Sequence, residues 1–392
     1  MNEDKHIPQG YKDSPLGIIP KEWEVKRLGD VCYISVGRDV QVDHFSEFMT
    51  DDYKYPVYSN TIEEKGLYGF YNYEEFTKGK VTVVGRGVGL GTSFARDNGF
   101  GAIGRLVVLT PRNNLSNHYL ENYINSKVHF FVESAAIPQL TGEQIASYKI
   151  AIPPFPEQLL IENYIQLWDT AIEKQSELVE KLKLRKRALM QQLLTGKKRL
   201  PGFCGEWKEV KLGDVFDERN ETNRDDLPLL SITGDKGVIY QSDSDKRDIS
   251  NDDKSKYKRI CPNDIGYNTM RMWQGRSALS ELEGIVSPAY TIVTPRENVN
   301  VRFMAMLIQQ PRVVYDFWTH SQGLVSDTLN CKYPDFCQVK VRIPTKQEQI
   351  AIASVLVKAD KEIELAKDKL ANLLSQKRGL MQQLLTGKKR IK

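Results

Sequence analysis

The chain contains two copies of one pattern, and this repeat decides which folding units are possible. KRALMQQLLTGKKRL begins at Lys186 and returns at Lys377 as KRGLMQQLLTGKKRI, with two substitutions in fifteen positions. IPPFPEQ at Ile152 matches IPTKQEQ at Ile343 with the same offset of 191 residues. Chance cannot supply such matches, so each copy is expected to be a structural unit.

A second, shorter offset locates an insertion. W-x4-LGDV recurs at Trp23 and Trp207, and TPR recurs at Thr110 and Thr294, both with an offset of 184 residues. The second copy therefore has a net insertion of seven residues between its TPR and IP motifs. Each copy is a divergent segment of roughly 130 residues followed by a nearly invariant segment of roughly 40 residues. This pattern is typical of two different recognition domains on a shared scaffold.

The nearly invariant segments have the pattern of long helices that pair with each other. Alternating steps of four and three residues from Ile161 and from Ile352 meet ten positions each, of which eight and nine are apolar. This period of 3.5 residues predicts coiled-coil packing. The helix seam, which is also the predicted partner-binding surface, consists of Ile161, Ile165, Trp168, Ile172, Val179, Leu182, Leu189 and Leu193 in the first helix and Ile352, Leu356, Ile363, Leu370, Leu373, Leu380 and Leu384 in the second.

The ends and the direction of these helices follow from the same segments. Each helix is predicted to begin at its Pro-x-x-x-Glu-Gln motif and to end at Gly196 or Gly387, where glycine can cap the last turn. The first helix leads the chain away from the first divergent segment, so a second helix on the same seam must run back. The pair is therefore expected to be antiparallel, as a rod of roughly 57 Å for about 38 residues.

The divergent segments predict mixed structure. Short β-branched stretches, such as KVTVVGR, RLVVLTPR and YKIAIP in the first copy and DIGYN, YTIVTPR and VKVRIP in the second, predict strands, and a helix is predicted after each TPR. The fold class is therefore α+β, with two pseudo-repeated domains separated by an antiparallel pair of long coiled-coil helices. The predicted segments are an N-terminal arm at 1–19, a first domain at 20–155, a spacer helix at 156–200, a second domain at 201–343 and a second spacer helix at 344–392.

Composition limits the environment of the chain. Its apolar runs are far shorter than the roughly 18 residues that cross a bilayer, and the first thirty residues lack the pattern of a signal peptide. Five cysteines without a C-x-x-C pair argue against a disulfide framework and a zinc site. We therefore expect a cytoplasmic protein that does not contact a membrane.

No fragment makes a complete catalytic site. VVGRGVGLGTS from Val83 lacks the lysine of a P-loop and is better interpreted as a hairpin. IPPF at Ile152 has no polar group to orient an exocyclic amine, and the five histidines have no metal-binding spacing. The nuclease-like pair Glu206 and Lys208 lies within the repeated W-x4-LGDV element, which favours a structural role. We predict no catalytic residue, no metal and no cofactor in this chain.

Polar and aromatic residues instead gather where the divergent segments should expose loops. Arg, Gln and Asn can make bidentate contacts to guanine or adenine edges, and Lys and Arg can hold phosphates. For each residue alone, solvation or a local turn is an equal alternative, but two unlike readers on one spacer suit a bipartite ligand. The predicted DNA-binding residues are Tyr58, Ser59, Asn60, Arg86, Arg96, Gln139 and Thr141 in the first copy and Asn268, Arg271, Trp273, Gln274, Arg276, Ser321 and Gln322 in the second.

The arrangement resembles the specificity (S) subunits of bacterial type I restriction-modification systems. The resemblance covers essentially the whole chain and is carried by IPPFPEQ and IPTKQEQ, both MQQLLTGKKR segments, YPVYSN, AIPQLTG, and YNTMRMWQG with GIVSPAYTIVTP. The paired MQQLLTGKKR segments are its most specific part. It implies that the two divergent segments are target recognition domains, each of which reads one half of a split double-stranded DNA sequence in a major groove.

The resemblance also implies partners. The helices would dock two modification (methyltransferase) subunits, which bring S-adenosylmethionine and methylate adenine. Restriction (motor-nuclease) subunits would join for cleavage, with ATP and Mg on the partner subunits, and the chain itself would have no catalysis. One departure is that the second copy has SQGLVSDTLN in place of IPQLTG, so contacts cannot be transferred to it from the first copy.

Two other functions stay open. One is an autonomous DNA methyltransferase or nuclease with an unrecognised site, which methyl transfer by the purified chain would favour. The other is a non-catalytic basic adaptor for RNA or acidic proteins, because residues 181–199 contain eight Lys or Arg and no acidic residue. Salt-dependent binding to random duplexes without a preferred sequence would favour the adaptor.

Overall fold

The fold consists of two compact units. A computed structural model describes residues 7–112, 114–131, 139–234, 236–244, 253–323 and 329–391. Unit 1 is formed by residues 1–176 and 369–392, and unit 2 by residues 177–368. The second long helix thus contributes its last turns to the unit that contains the first divergent segment. The five predicted segment boundaries stay a prediction.

Unit 1 is built on two four-stranded sheets. One has the order β4-β11-β8-β9 and is antiparallel throughout, and the other has the order β10-β6-β7-β5 with a parallel β10-β6 pair. β3 pairs with β12, and β1 pairs with β2. The strands are β1 (Tyr11–Lys12), β2 (Ile19–Pro20), β3 (Glu24–Arg27), β4 (Cys32–Val36), β5 (Phe45–Ser46), β6 (Tyr55–Tyr58), β7 (Leu67–Tyr71), β8 (Lys80–Val83), β9 (Ser93–Arg96), β10 (Gly101–Ala102), β11 (Val107–Pro111) and β12 (Lys149–Ile152). The helices are α1 (Leu28–Val31), α2 (Asn117–Lys127), α3 (Gly142–Ser147) and the first part of α4 (Phe155–Leu193).

Unit 2 repeats the antiparallel sheet with the order β14-β21-β18-β19, and β13 pairs with β22 as β3 pairs with β12. Two further pairs, β15-β16 and β17-β20, flank this sheet. The strands are β13 (Lys208–Lys211), β14 (Phe216–Glu218), β15 (Leu230–Ile232), β16 (Val238–Tyr240), β17 (Lys258–Ile260), β18 (Ile265–Asn268), β19 (Ser277–Leu279), β20 (Gly284–Val286), β21 (Tyr290–Pro295) and β22 (Lys340–Ile343). The helices are α5 (Val301–Leu307), α6 (Pro311–His320), α7 (Tyr333–Gln338) and α8 (Lys346–Leu384), whose last turns belong to unit 1.

The predicted strands and helices are confirmed. The six β-branched stretches form β8, β11, β12, β18, β21 and β22, and α2 and α5 follow the two TPR motifs. The glycine-rich segment after Val83 joins the antiparallel strands β8 and β9, as expected of a hairpin. α6 lies within the interval of the predicted insertion, and the described residues between α2 and α3, 128–131 and 139–141, contain no helix.

The two long helices run antiparallel within each unit. In unit 1, Lys377 of α8 forms an ion pair with Asp169 of α4. In unit 2 the equivalent pair joins Lys186 of α4 to Asp360 of α8. In both units, residues late in one helix meet residues early in the other. The predicted fold class, α+β with an antiparallel pair of long helices, is thereby confirmed.

The predicted seam lies on the covered face of both helices. All fifteen seam positions are buried or half-buried, whereas most helix positions between them are exposed. In unit 1, Ile161, Ile165 and Leu384 belong to the core that also contains Trp23 and Tyr119. In unit 2, Leu193, Ile352 and Leu356 share a core with Phe216 and Phe303. Apolar side chains of the seam are thus part of the hydrophobic core of each unit.

Each helix ends in a glycine cap that the sequence predicted. Gly196 and Gly387 have φ angles of 69° and 68°, in the left-handed region that glycine adopts without strain. The N–H of Lys198 donates to the carbonyl of Gln192 (3.1 Å), and the N–H of Lys389 donates to that of Gln383 (3.2 Å). These hydrogen bonds join residues six positions apart, and together with the left-handed glycine they turn the chain sharply after the helix.

The arginine beyond each cap binds the glutamate at the start of the opposite helix. In unit 2, Nε and Nη2 of Arg199 donate to the two carboxylate oxygens of Glu348, both at 2.6 Å. In unit 1, Nε and Nη2 of Arg390 donate to Glu157 at 2.5 and 2.8 Å. The glutamates are only 1% and 6% exposed, so each needs this bidentate partner to offset its desolvation.

The glutamine that follows each glutamate attaches the helix to its own domain. The side-chain oxygen of Gln158 accepts the N–H of Ser116, the N-cap of α2, at 2.9 Å. That of Gln349 accepts the N–H of Asn300, the N-cap of α5, at 2.8 Å. The Glu-Gln pair therefore has two structural roles, which explains why it recurs in both copies.

We expect replacement of Arg390 by Met to lower the free energy of unfolding by about 3 kcal/mol, because it leaves the buried Glu157 carboxylate without its cation. Chemical denaturation measures this change. The double variant Arg390→Met, Glu157→Gln should recover most of the loss, and the exposed-site control Lys389→Met should change stability by less than about 0.5 kcal/mol. Equal losses in the single and double variants would contradict the pairing.

A charge cluster at the start of α2 makes the stability of unit 1 depend on pH. The carboxylate of Glu121, followed by that of Asp97, raises the pKa of His118 from its ordinary 6.5 to about 9. Nε2 of His118 lies 2.8 Å from Asp97 Oδ1. Because the folded-state pKa is raised, the stabilisation is complete below about pH 6.5 and is lost as the pH rises through about 9. Comparison of wild type with His118→Gln across this range should show a stability difference that disappears at the alkaline end.

Candidate nucleic-acid interface

Three separate segments of the first copy meet at one surface of unit 1. The side-chain oxygen of Asn60 accepts the N–H of Gly85 (2.8 Å), and the carbonyl of Gly85 accepts the N–H of Leu140 (2.8 Å). Arg86 and Gln139 form an antiparallel bridge beside them. We call residues 58–60, 85–86 and 139–141 the first reading surface.

The predicted residues of this surface differ in how free their side chains are. The Asn60 amide is engaged on both sides, since it also donates to the carbonyl of Gly104. Thr141 is the N-cap of α3 and accepts the N–H of Gln144 (3.2 Å). Arg86 is exposed and Gln139 is half-buried. Arg86 and Gln139 are therefore the side chains best placed to contact a ligand, whereas Asn60 and Thr141 shape the surface.

Arg96 requires a correction. Its side chain is predicted to contact DNA, but the residue is only 4% exposed. Its guanidinium carbon lies 3.4 Å from the ring centroid of Tyr58, Nε donates to Thr82 Oγ1 (2.9 Å), and Nη2 donates to the carbonyl of Lys65 (2.7 Å). Burial lowers the pKa of Arg96 to about 10. The Arg96 side chain therefore stacks on Tyr58 in the interior of unit 1 and is not available to contact a DNA base.

In the second copy, the predicted residues surround one tight loop between β18 and β19. Met272 is fully buried and anchors the loop, and Gly275 turns it with a φ of 73°. The N–H of Asn268 donates to the carbonyl of Arg276 (3.0 Å), which closes the base of the loop. The loop thereby presents Arg271 and Gln274 to solvent.

These side chains line a common cleft. It has a volume of about 440 Å³, and Asn268, Arg271, Gln274 and Arg276 all form part of its wall. No carboxylate is found among the described residues that line it. We call this cleft the second reading surface. A cleft whose described lining residues include two guanidinium groups and two amides suits an anionic ligand with hydrogen-bonding edges.

The remaining predicted residues of the second copy are not among the residues that line this cleft. Trp273 is half-buried and donates from Nε1 to the carbonyl of Met270 (3.0 Å). Ser321 donates from Oγ to the carbonyl of Phe317 (2.7 Å), at the end of α6. Gln322 donates from Nε2 to Asp335 (3.0 Å) and forms a β-bridge with Asn330. These hydrogen bonds give all three residues a structural role.

The structure supplies the counterpart that the second copy was expected to lack. The N–H of Cys331 donates to the carbonyl of Thr269 (2.9 Å), as the N–H of Leu140 donates to Gly85. Asn330 and Lys332 therefore occupy the positions of Gln139 and Thr141. Lys332 precedes α7 as Thr141 precedes α3, with an acceptor side chain three residues later in both copies. The sequence feature that could have identified these positions was the repeat offset of 191 residues. This offset is kept although the residue types at the equivalent positions differ.

Sequence reasoning also missed residues on other walls of the second reading surface. Lys236 from the β15–β16 turn and Tyr290 from β21 line the same cleft. Tyr290 donates to the carbonyl of Ile232 (3.3 Å) and so fixes the β15–β16 pair against the sheet. Because these positions come from strands distant in sequence from the loop, no local pattern could reveal them.

The residues that the structure describes lack the features of two other kinds of site. They contain no group of three or more His, Cys, Asp or Glu side chains arranged to hold a metal ion. In the same part of the chain, no helix combines the length and the apolar character needed to cross a membrane.

Two polar loop surfaces on a duplicated sheet are typical of a DNA-recognition protein, and sequence comparison agrees. Residues 20–183 match the family model described as "Type I restriction modification DNA specificity domain". The chain therefore contains a domain of this family, and its predicted resemblance to the specificity subunits of type I restriction-modification systems is confirmed.

Known relatives are similar along most of the chain. A putative type I specificity subunit of Mycoplasma pneumoniae is 24% identical over 84% of this chain and 87% of its own length. The specificity subunit of the type I restriction enzyme MjaVIII from Methanocaldococcus jannaschii is 23% identical over 95% of this chain and 94% of its own length. Both matches extend over the two copies of the repeat and are not limited to one domain.

Solved structures share the fold. The S subunit of a type I restriction-modification system from M. genitalium superposes with a TM-score of 0.57 at 13% identity, over 92% of this chain and 96% of that one. The HsdS subunit of Thermoanaerobacter tengcongensis gives a TM-score of 0.51 at 15% identity, over 94% and 98% of the two chains. At this level of identity the likeness establishes the architecture.

Arg86 is exposed and Arg96 is buried, so alanine variants of these two arginines form a matched pair. We expect Arg96→Ala to lower the free energy of unfolding by about 2 kcal/mol, because it removes hydrogen bonds of a buried charged group. Arg86→Ala should leave stability unchanged within about 0.5 kcal/mol and weaken DNA binding. Denaturation and DNA-binding titrations of both variants test this. A stable Arg96→Ala protein that had lost only DNA binding would restore the original prediction for Arg96.

Proposed function

We propose that this specificity subunit reads a bipartite double-stranded DNA target, with one half contacted by each reading surface. The observation that carries the proposal is the second reading surface, where Asn268, Arg271, Gln274 and Arg276 line one cleft whose described lining residues include no carboxylate. Arg and Gln are the side chains that make bidentate contacts to guanine and adenine. Arg86 and Gln139 supply the same chemistry on the first reading surface, from a different set of loops.

The chain itself is proposed to be non-catalytic. Its recognition would direct two methyltransferase subunits, which carry S-adenosylmethionine, and restriction subunits, which use ATP and Mg. A chain of similar fold, with a TM-score of 0.58 at 15% identity, comes from a structure described as the basis of complex assembly and conformational transition of the type I restriction-modification system. The seam residues, which were also predicted to bind partners, are buried or half-buried within the chain. The proposed docking surface is therefore the opposite, exposed face of the long helices. A cytoplasmic location stays a prediction.

Single substitutions on the two reading surfaces test the bipartite proposal. In the complex with its modification subunits, Arg86→Ala should relax the preferred sequence in one half of the methylated target. Gln274→Ala should relax it in the other half. Each variant is expected to lose about 1–3 kcal/mol of discrimination at its own position and none in the opposite half. Sequencing of methylated sites in a host that carries each variant gives the result.

Two outcomes would overturn the proposal. If either substitution altered both halves, the two surfaces would not read separately. If the purified chain alone transferred methyl groups from labelled S-adenosylmethionine to DNA, it would be an autonomous methyltransferase. Binding to random duplexes with no preferred sequence, and with the same salt dependence for every duplex, would favour the basic adaptor.

A further inference from the structure

The wall of the second reading surface contains a glycine that no local rule of backbone conformation requires. Gly234 follows β15, and its φ is outside the left-handed region, so an alanine would be compatible with the backbone. The turn that contains it is closed by other groups. The N–H and Oγ1 of Thr233 donate to the carbonyl of Gly237 at 2.8 and 2.9 Å.

What Gly234 permits is the close approach of Arg276. A methyl group at residue 234 would overlap Nη1 of Arg276 and lie 3.4 Å from its Cζ. The overlapping atom is the tip of a flexible side chain, so the arginine would move and the backbone would stay. The absence of a side chain at Gly234 therefore permits the observed position of the guanidinium and is not needed for the turn itself.

The position of this guanidinium matters because Arg276 lies between two clefts. One is the second reading surface, with Asn268 and Arg271 on its wall. The other has a volume of about 520 Å³ and is lined by Ser277 and Gln309 as well as by Arg276 and Gly234. The described lining residues of this second cleft also include no carboxylate. Arg276 therefore borders both clefts, and a displaced guanidinium could turn towards either of them.

We propose that Gly234 is a positioning residue for DNA specificity, which holds Arg276 so that it reads one guanine of the half-site contacted by unit 2. This inference rests on the proposed function. An arginine fork recognises guanine by two parallel hydrogen bonds to O6 and N7, and this recognition requires a fixed plane and position. Close packing of the Arg276 guanidinium against the Gly234 backbone restricts the plane and position of the guanidinium. Contact with solvent would not restrict them.

The test is Gly234→Ala in the full chain with its modification subunits, with DNA selected from a duplex library randomised across the target. The preference for guanine at one position of the unit 2 half-site should fall roughly tenfold. Arg276→Ala should lose the preference at the same position. Gly205→Ala is the matched control, since Gly205 has no atom within 4 Å of an added Cβ, and it should leave both halves of the target unchanged.

A double variant separates positioning from a general structural role. If Gly234 acts only through Arg276, Gly234→Ala combined with Arg276→Ala should equal Arg276→Ala alone. Additive losses, a uniform loss of affinity at every position, or an unchanged guanine preference in Gly234→Ala would each overturn the inference. Failure of the proposed function would look different, because the wild-type complex would then select no bipartite sequence at all.

Discussion

A buried carboxylate at the start of each long helix is the constraint on which the architecture depends. Glu157 and Glu348 are almost completely removed from water, and each is compensated by two hydrogen bonds from an arginine located just beyond the cap of the opposite helix. This geometry demands antiparallel helices of matching length that end in a sharp turn. It accounts for the similarity of the two helical segments, because the helix, the glycine cap and the arginine must all keep their spacing for the pair to form.

The divergent segments are under a different constraint. Their central sheets have the same strand order, and the loop after β8 and the loop after β18 occupy equivalent places in the repeat. In the first copy this loop is rich in glycine, whereas in the second it is anchored by the buried Met272. Loops of different shape can thus connect equivalent strands of the same sheet architecture. This separation lets the reading surfaces differ while the parts that hold the helices stay nearly the same.

Prediction from the sequence succeeded where periodicity or repetition carried the information. The seam, the glycine caps and the strands around TPR were all readable, because burial imposes a spacing on them. Arg96 was misassigned because a buried arginine stacked on Tyr58 has the same sequence signature as an exposed one. Asn330 was missed because the repeat preserves its backbone position but not its residue type. Lys236 and Tyr290 reach the cleft only through pairing of distant strands, which no local pattern encodes.

The discontinuity of unit 1 has a consequence for biosynthesis. Gly387 accepts a hydrogen bond from Tyr11, and Leu384 and Leu385 complete the core around Trp23, yet all of unit 2 is translated between these two parts. The last turns of α8 must therefore be synthesised and leave the ribosome before the earliest domain can close. Until then the apolar face of α4 and the Glu157 carboxylate lack their partners, so the newly made polypeptide passes through an aggregation-prone stage whose duration is set by the rate of elongation.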